Sequence, residues 1–122
     1  MNNVPCHIEL NSIDLDKTTQ FYHQLFGWSI IDSGLPNYRL IKFALDFPMA
    51  GAILQTSEKA LNEKQWPIVY IMVSSIEETI KKAQELGASL VSEVKTISNR
   101  GKWAIFCDND GNHIALWEVL KN

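Results

Sequence analysis

Cysteine is scarce in this 122-residue sequence: Cys6 and Cys107 are the whole complement. That excludes a disulfide framework, and each cysteine sits in an apolar, strand-like run where a free buried thiol is the default. Long hydrophobic runs are missing too. Without 18 consecutive apolar residues there is no membrane-spanning helix to assign, and no charged, apolar, small-residue leader directs export, so a cytoplasmic protein is expected. Positive charge is not in excess either. Eleven Lys and Arg stand against 14 Asp and Glu, a net charge of −3, and with no basic stripe a nucleic-acid partner is not expected. No Gly-rich phosphate loop, G-x-S-x-G elbow or Ser-His-Asp order occurs, and His7-Ile8-Glu9 is not a zinc-deaminase motif, because no P-C-x-x-C follows it.

What is present is an ordinary soluble composition, 46% hydrophobic and 20% charged, long enough for one domain over residues 1–122 with a real core. The chain reads as two halves built alike. Alternation predicts a strand at Cys6–Leu10, and Leu15, Thr18, Phe21, Tyr22 and Leu25 at helical spacing predict a helix over Asp14–Phe26, stopped by Gly27. Strand-like runs follow at Trp28–Ile31, Tyr38–Leu45 and Ala50–Gln55. The second half repeats the order: a strand at Ile68–Val73, a helix at Ser75–Leu86, a stop at Gly87, and strands at Ser89–Val94, Lys102–Cys107 and His113–Glu118. "QLFGWSII" (24–31) and "QELGASLV" (84–91) mark the same junction 60 residues apart. Ser75 and Glu78 have the spacing of a capping box. Glu77–Lys81 and Glu78–Lys82 are i,i+4 pairs on a solvated helix face.

Each half is therefore βαβββ, module 1–56 and module 66–122, with the polar connector 57–65 between them. The expected class is α+β. A four-stranded sheet covered by one helix leaves its other face bare, so two curled mixed sheets should pair and enclose a pocket. On the first strand Cys6, Ile8 and Leu10 form an apolar face, while His7, Glu9 and Asn11 form a polar one.

"DNDGN" (108–112) invites a calcium reading, which spacing rejects. With Gly111 sixth in an EF-hand loop, the first position is Phe106 and the twelfth Trp117, neither a ligand. The run instead has the composition of a hairpin turn.

The duplicated modules, the opening "HIELNSIDLDKTTQFYHQLFGW" (7–28) and the closing "AIFCDNDGNHIALWE" (104–118) resemble the vicinal oxygen chelate superfamily, the glyoxalase, bleomycin-resistance and extradiol-dioxygenase proteins. The resemblance implies a pocket between curled sheets in which His and Glu side chains hold a divalent metal that acts as a Lewis acid. Carried over residue by residue, it keeps only one ligand. His7 matches the histidine of the opening strand, but Ile68, Ala115 and either Ala52 or Ile53 stand at the other positions. Glu118 does not replace Ala115, since it faces the other way and lies about 10 Å further along the strand. No cofactor is expected, a divalent metal is disfavoured, and His7 with Glu9 offers at most a two-ligand site.

The expected site is then a mostly apolar small-molecule pocket. Glu9 and His7 are its candidate acid/base groups. Asn11, Ile68, Tyr70, Met72, Ala115 and Trp117 share their face, and Tyr38, Arg100 and Trp103 are further candidates whose faces the sequence leaves open. His23 reads as a solvent-facing helix residue and His113 as a strand-start residue near solvent. The resemblance implies either a metal-free enzyme, in which an enclosed carboxylate abstracts a proton beside a carbonyl, or a protein that sequesters a ligand as bleomycin-resistance proteins do. A metal-dependent glyoxalase I-like lyase or dioxygenase is the remaining alternative. A homodimer is expected from the same resemblance and from exposed sheet edges.

Overall fold

The computed structural model describes residues 3–59 and 67–120. Most of the connector expected at 57–65 lies outside them. Elements among the described residues follow the doubled order: β1 (Val4–Ser12), α1 (Leu15–Phe26), β2 (Ser29–Asp32), β3 (Tyr38–Lys42) and β4 (Ala50–Gln55), then β5 (Ile68–Met72), α2 (Ile76–Glu85), β6 (Ser89–Ile97), β7 (Gly101–Cys107) and β8 (His113–Val119). The fold is α+β, built from two βαβββ repeats.

Compactness divides the chain into two units that differ slightly from the sequence repeat. One runs from His7 to Pro67; the other takes the described residues up to Cys6 together with those from Ile68 onward. The reason is local pairing, since Asn3 N donates to Met72 O (2.7 Å) and the Cys6 thiol to Tyr70 O (3.5 Å).

In the His7–Pro67 unit the strands lie in the order β2-β3-β4-β1, antiparallel except where β1 runs parallel to β4. In the other unit the order β5-β8-β7-β6 repeats this, with β5 parallel to β8. Both repeats thus place their first strand beside their last. A parallel neighbour requires a crossover, and the intervening helix is part of it.

Helix α1 begins where Asp14 accepts from Lys17 N (3.2 Å), and it ends on Gly27 in the left-handed conformation. It is fastened to its sheet by polar contacts. Ser12 meets Thr18 (2.6 Å), Gln55 accepts from Leu15 N (3.1 Å), and Arg39 reaches both Thr19 (2.9 Å) and Asp16 (2.6 Å). Helix α2 is held by apolar packing, with Ile76 and Ile80 set against Val73, Ala104 and Leu116. Ser75 caps it through Glu78 N (3.2 Å), as the capping spacing predicts. Glu77, expected to pair along the helix with Lys81, instead meets Lys102 on β7 (3.2 Å).

Several strand ends depart from expectation. β1, β6 and β7 are longer than the alternation suggested, because backbone pairing continues past the alternating residues. β3 stops at Lys42, short of the expected Leu45, whose side chain is 99% exposed. The run 108–112 is the turn its composition indicated. Asp108 accepts from Asp110 N, Asn112 N and the Asn112 side-chain amide, and these bonds, the side-chain one foremost, hold its carboxyl below the usual range. Gly111 takes φ +91, which glycine allows without strain.

Candidate functional site

On β1, Ser12 faces α1, so alternation turns His7, Glu9 and Asn11 to the opposite side of the His7–Pro67 sheet. Register extends that face across the neighbouring strands. Glu9 stands beside Ala52 and Ala52 beside Leu40, while Asn11 stands beside Leu54 and Leu54 beside Tyr38. Of the two residues left open for the first module's metal position, Ala52 is therefore the one on this face. Ile53 belongs to the helix side, where its register partner Arg39 bonds α1.

Three polar side chains on this face form a chain of hydrogen bonds. The Tyr38 hydroxyl donates to Glu9 Oε2 at 3.1 Å, and the hydroxyl oxygen lies 3.1 Å from His7 Nε2. With its single proton given to Glu9, the phenol accepts from the Nε2–H tautomer of His7. Glu9 is only 6% exposed. Burial lowers the His7 pKa from its ordinary 6.5 to about 4, so the imidazole is neutral near pH 7. Tyr38 reaches Glu9 across β4, on the face that also carries Ala52. Composition and period placed Tyr38 only as a secondary candidate. Its central position follows from β3–β4 register, for which the sequence carries no local signal.

Asn11 differs from these three. Both polar atoms of its side chain, Nδ2 and Oδ1, are buried and without a hydrogen-bond partner. An unsatisfied buried polar group costs about 1–3 kcal/mol, and the great majority of such groups are satisfied.

The remaining candidates lie in the second unit. Tyr70 pairs with Ala115 and Met72 with Trp117, and Trp103 pairs with Trp117 from the other side, so these five share one face. Lys95 stands over the Trp103 ring at 5.4 Å, a cation–π contact. A Cβ on Gly101 would come within 2.6 Å of the Trp117 ring and 2.5 Å of Glu118 O, so the ring is accommodated because that residue is glycine. Ile68 is buried at the start of β5. Arg100 lies in the exposed turn before β7. His113 starts β8 opposite Cys107, and His23 bonds Trp28 O through Nδ1 (2.9 Å) rather than only facing solvent.

Glu118 does face away from Ala115 and Trp117. Its Oε1 accepts from Ile76 N at 2.8 Å, which makes it a cap for α2, a role that sequence spacing did not indicate. Among the described residues no group of three or more His, Cys, Asp or Glu side chains could hold a metal ion. The positions that the resemblance assigns to one carry Ile68, Ala115 and Ala52, whose side chains offer no lone pairs, and this donor set does not fit a divalent metal. Two surface grooves, of about 410 and 440 Å³, also lie on the His7–Pro67 unit. Tyr38 and Arg39 border the first, Phe43 and Phe47 the second, and neither is lined by His7, Glu9 or Asn11.

Residues 6–116 match the family described as the Glyoxalase/Bleomycin resistance protein/Dioxygenase superfamily. The chain belongs to that superfamily. Solved structures of similar fold include methylmalonyl-CoA epimerase from Mycobacterium tuberculosis, with a TM-score of 0.75 at 16% identity over 98% of this chain and 90% of that one. A Streptomyces coelicolor methylmalonyl-CoA epimerase in complex with 2-nitronate-propionyl-CoA gives 0.69 at 16% identity, over 99% and 100%. A glyoxalase/bleomycin resistance protein/dioxygenase superfamily member from Vibrio splendidus 12B01 gives 0.64 at 17% identity, over 91% and 95%. At such identities the likeness shows the superfamily fold. Comparison with curated proteins gives no significant sequence match. Among the described residues of this superfamily member, no helix is long and apolar enough to cross a membrane.

Proposed function

We propose that this protein is a small-molecule-binding member of the superfamily, which holds its ligand on the His7, Glu9 and Tyr38 face without a divalent metal. The carrying observation is that Glu9 already accepts the Tyr38 hydroxyl, which His7 supports in turn. Glu9 thus offers a ligand donor an acceptor whose orientation the Tyr38 hydroxyl already fixes. Sequestration of the bleomycin-resistance kind needs no more than such an anchor in an apolar setting.

A small-molecule thermal-shift screen tests this. A ligand at a hundredfold excess over Kd stabilises the native state by about 2.7 kcal/mol, and Glu9→Gln should leave folding nearly intact while weakening binding. Strong destabilisation by Glu9→Gln with binding untouched would make Glu9 a structural partner and end the reading.

A second reading draws on the burial of the Glu9 carboxyl and on the fold likeness to epimerases. In it, Glu9 and His7 exchange protons with a carbonyl compound. Deuterium uptake from solvent into a bound hit, lost in Glu9→Gln, selects that reading over binding alone.

We propose also that the chain acts in the cytoplasm, where its two free thiols suit a reducing environment, and that it pairs as a homodimer. Phe21, Leu25 and Phe26 stand 57, 57 and 58% exposed along α1, an apolar surface of the kind that partners cover. Light scattering should report the mass of two chains at tens of micromolar; the mass of one removes the dimer.

A further inference from the structure

We infer that Asn11 is the specificity-determining residue of this site, and that it selects a neutral ligand bearing a cis-amide edge, an N–H and a C=O side by side as in a lactam or cyclic imide. The inference rests on the binding reading above and adds the class of ligand to it.

The starting point is the pair of orphaned atoms. Asn11 lies two residues beyond Glu9 on the same face of β1, and its donor and its acceptor are both buried and unbonded. An asparagine kept for structure bonds a backbone group, a neighbouring side chain or an ordered water. Its register partner is Leu54, whose side chain has no polar atom to offer. An apolar residue at this position would pack without desolvating two polar groups, so retaining the amide opposes stability, as functional residues commonly do.

The chemistry of a primary amide then restricts the ligand. Nδ2 donates and Oδ1 accepts in one plane, and the complement that satisfies both is an adjacent acceptor and donor. An amidine or guanidine offers only donors and leaves Nδ2 unpaired. A carboxylate offers only acceptors and leaves Oδ1 unpaired. A lactam or imide edge satisfies both atoms without a charge. Because neither atom meets solvent as the chain stands, the ligand has to displace the side chains covering Asn11, and small rings are the natural probes.

The experiment compares 2-pyrrolidinone and succinimide with γ-butyrolactone and cyclopentanone, which keep the ring and the carbonyl but lack the N–H. Melting shifts are measured for the unmodified chain and for Asn11→Leu, Asn11→Ser and Glu9→Gln. The Asn11 side-chain amide resonances are followed in the unmodified chain. The expected result is a shift with the lactam and imide only, accompanied by movement of the Asn11 amide signals. Asn11→Leu should melt higher without ligand, on the order of 5 °C, and should weaken lactam binding at least about tenfold. Asn11→Ser should lose binding likewise. Equal shifts with lactam and lactone, lactam binding that survives both Asn11 variants, stationary Asn11 signals, or no response to any lactam each overturn the inference. If Glu9→Gln weakens lactam and lactone alike while the Asn11 variants change nothing, the binding face stands and only the amide edge falls. If fragments bind and no variant matters, both fall.

Discussion

His7 gives the site a pH dependence whose sign follows from its environment. Burial brings its pKa from 6.5 down to about 4 in the folded chain, whereas the unfolded chain binds the proton at the ordinary value. The neutral imidazole therefore contributes stability that is fully present above about pH 6.5 and is lost as pH falls through the folded pKa near 4. With one unit worth about 1.4 kcal/mol, the loss over this window approaches roughly 3 kcal/mol. Urea titrations at pH 7.5, 5.5 and 4.5 should show it, and His7→Gln should flatten that part of the profile. A His7→Gln profile parallel to that of the unmodified chain would mean that His7 titrates as an exposed histidine. Alternation alone identified the polar face of His7, Glu9 and Asn11. That Tyr38 spans from Glu9 to His7 was not legible, because it depends on which residue of β3 stands opposite Leu54.

At the scale of elements, the two helices are attached by different means, although their sequences occupy equivalent places in the repeat. Helix α1 has no fully buried residue and depends on Ser12, Gln55 and Arg39, whereas α2 buries Ile76 and Ile80 and takes a carboxylate cap from β8. An acceptor at a helix N-terminus satisfies an orphan N–H and meets the positive end of the helix dipole. Glu118→Ala should therefore cost about 0.5–2 kcal/mol in urea unfolding, and Glu118→Gln less, since it keeps an acceptor oxygen. Neither substitution should change ligand binding at the His7 face. An unchanged midpoint in Glu118→Ala would show that the cap contributes nothing. The sequence marked Ser75 as a cap because that contact is local, but could not mark Glu118, which lies 42 residues from the amide it accepts.

For the whole molecule, membership of the superfamily raises the question of its metal, and the metal-free reading proposed above rests on the residues at the ligand positions that the resemblance assigns. At those positions His7 is the one donor, its Nε2 is engaged with Tyr38, and the Ala52, Ala115 and Ile68 side chains supply no lone pairs. The purified protein should hold no stoichiometric divalent metal by elemental analysis after dialysis without chelator, and nickel, zinc, manganese and EDTA should each leave its melting curve in place. One bound metal per chain with a melting shift that His7→Ala abolishes would restore a Lewis-acid mechanism and displace the reading proposed above.

Period, caps and turn residues act over a few positions, and at that range the sequence by itself determined most of this protein. Strand and helix order, the doubled βαβββ plan, the stop at Gly27, the cap at Ser75 and the turn at 108–112 all follow from contacts within about one turn or one pleat. Residue identity likewise places apolar side chains at three of the four ligand positions that the resemblance assigns. Only the tertiary structure decided which strands pair and in what register. That pairing brought Tyr38 to Glu9, turned Ala52 rather than Ile53 to the polar face, and grouped the first described residues with β5. It also left Asn11 beside Leu54 without a partner. Such outcomes arise between residues tens of positions apart, where one step of register exchanges the two faces of a strand, and no local pattern encodes that step.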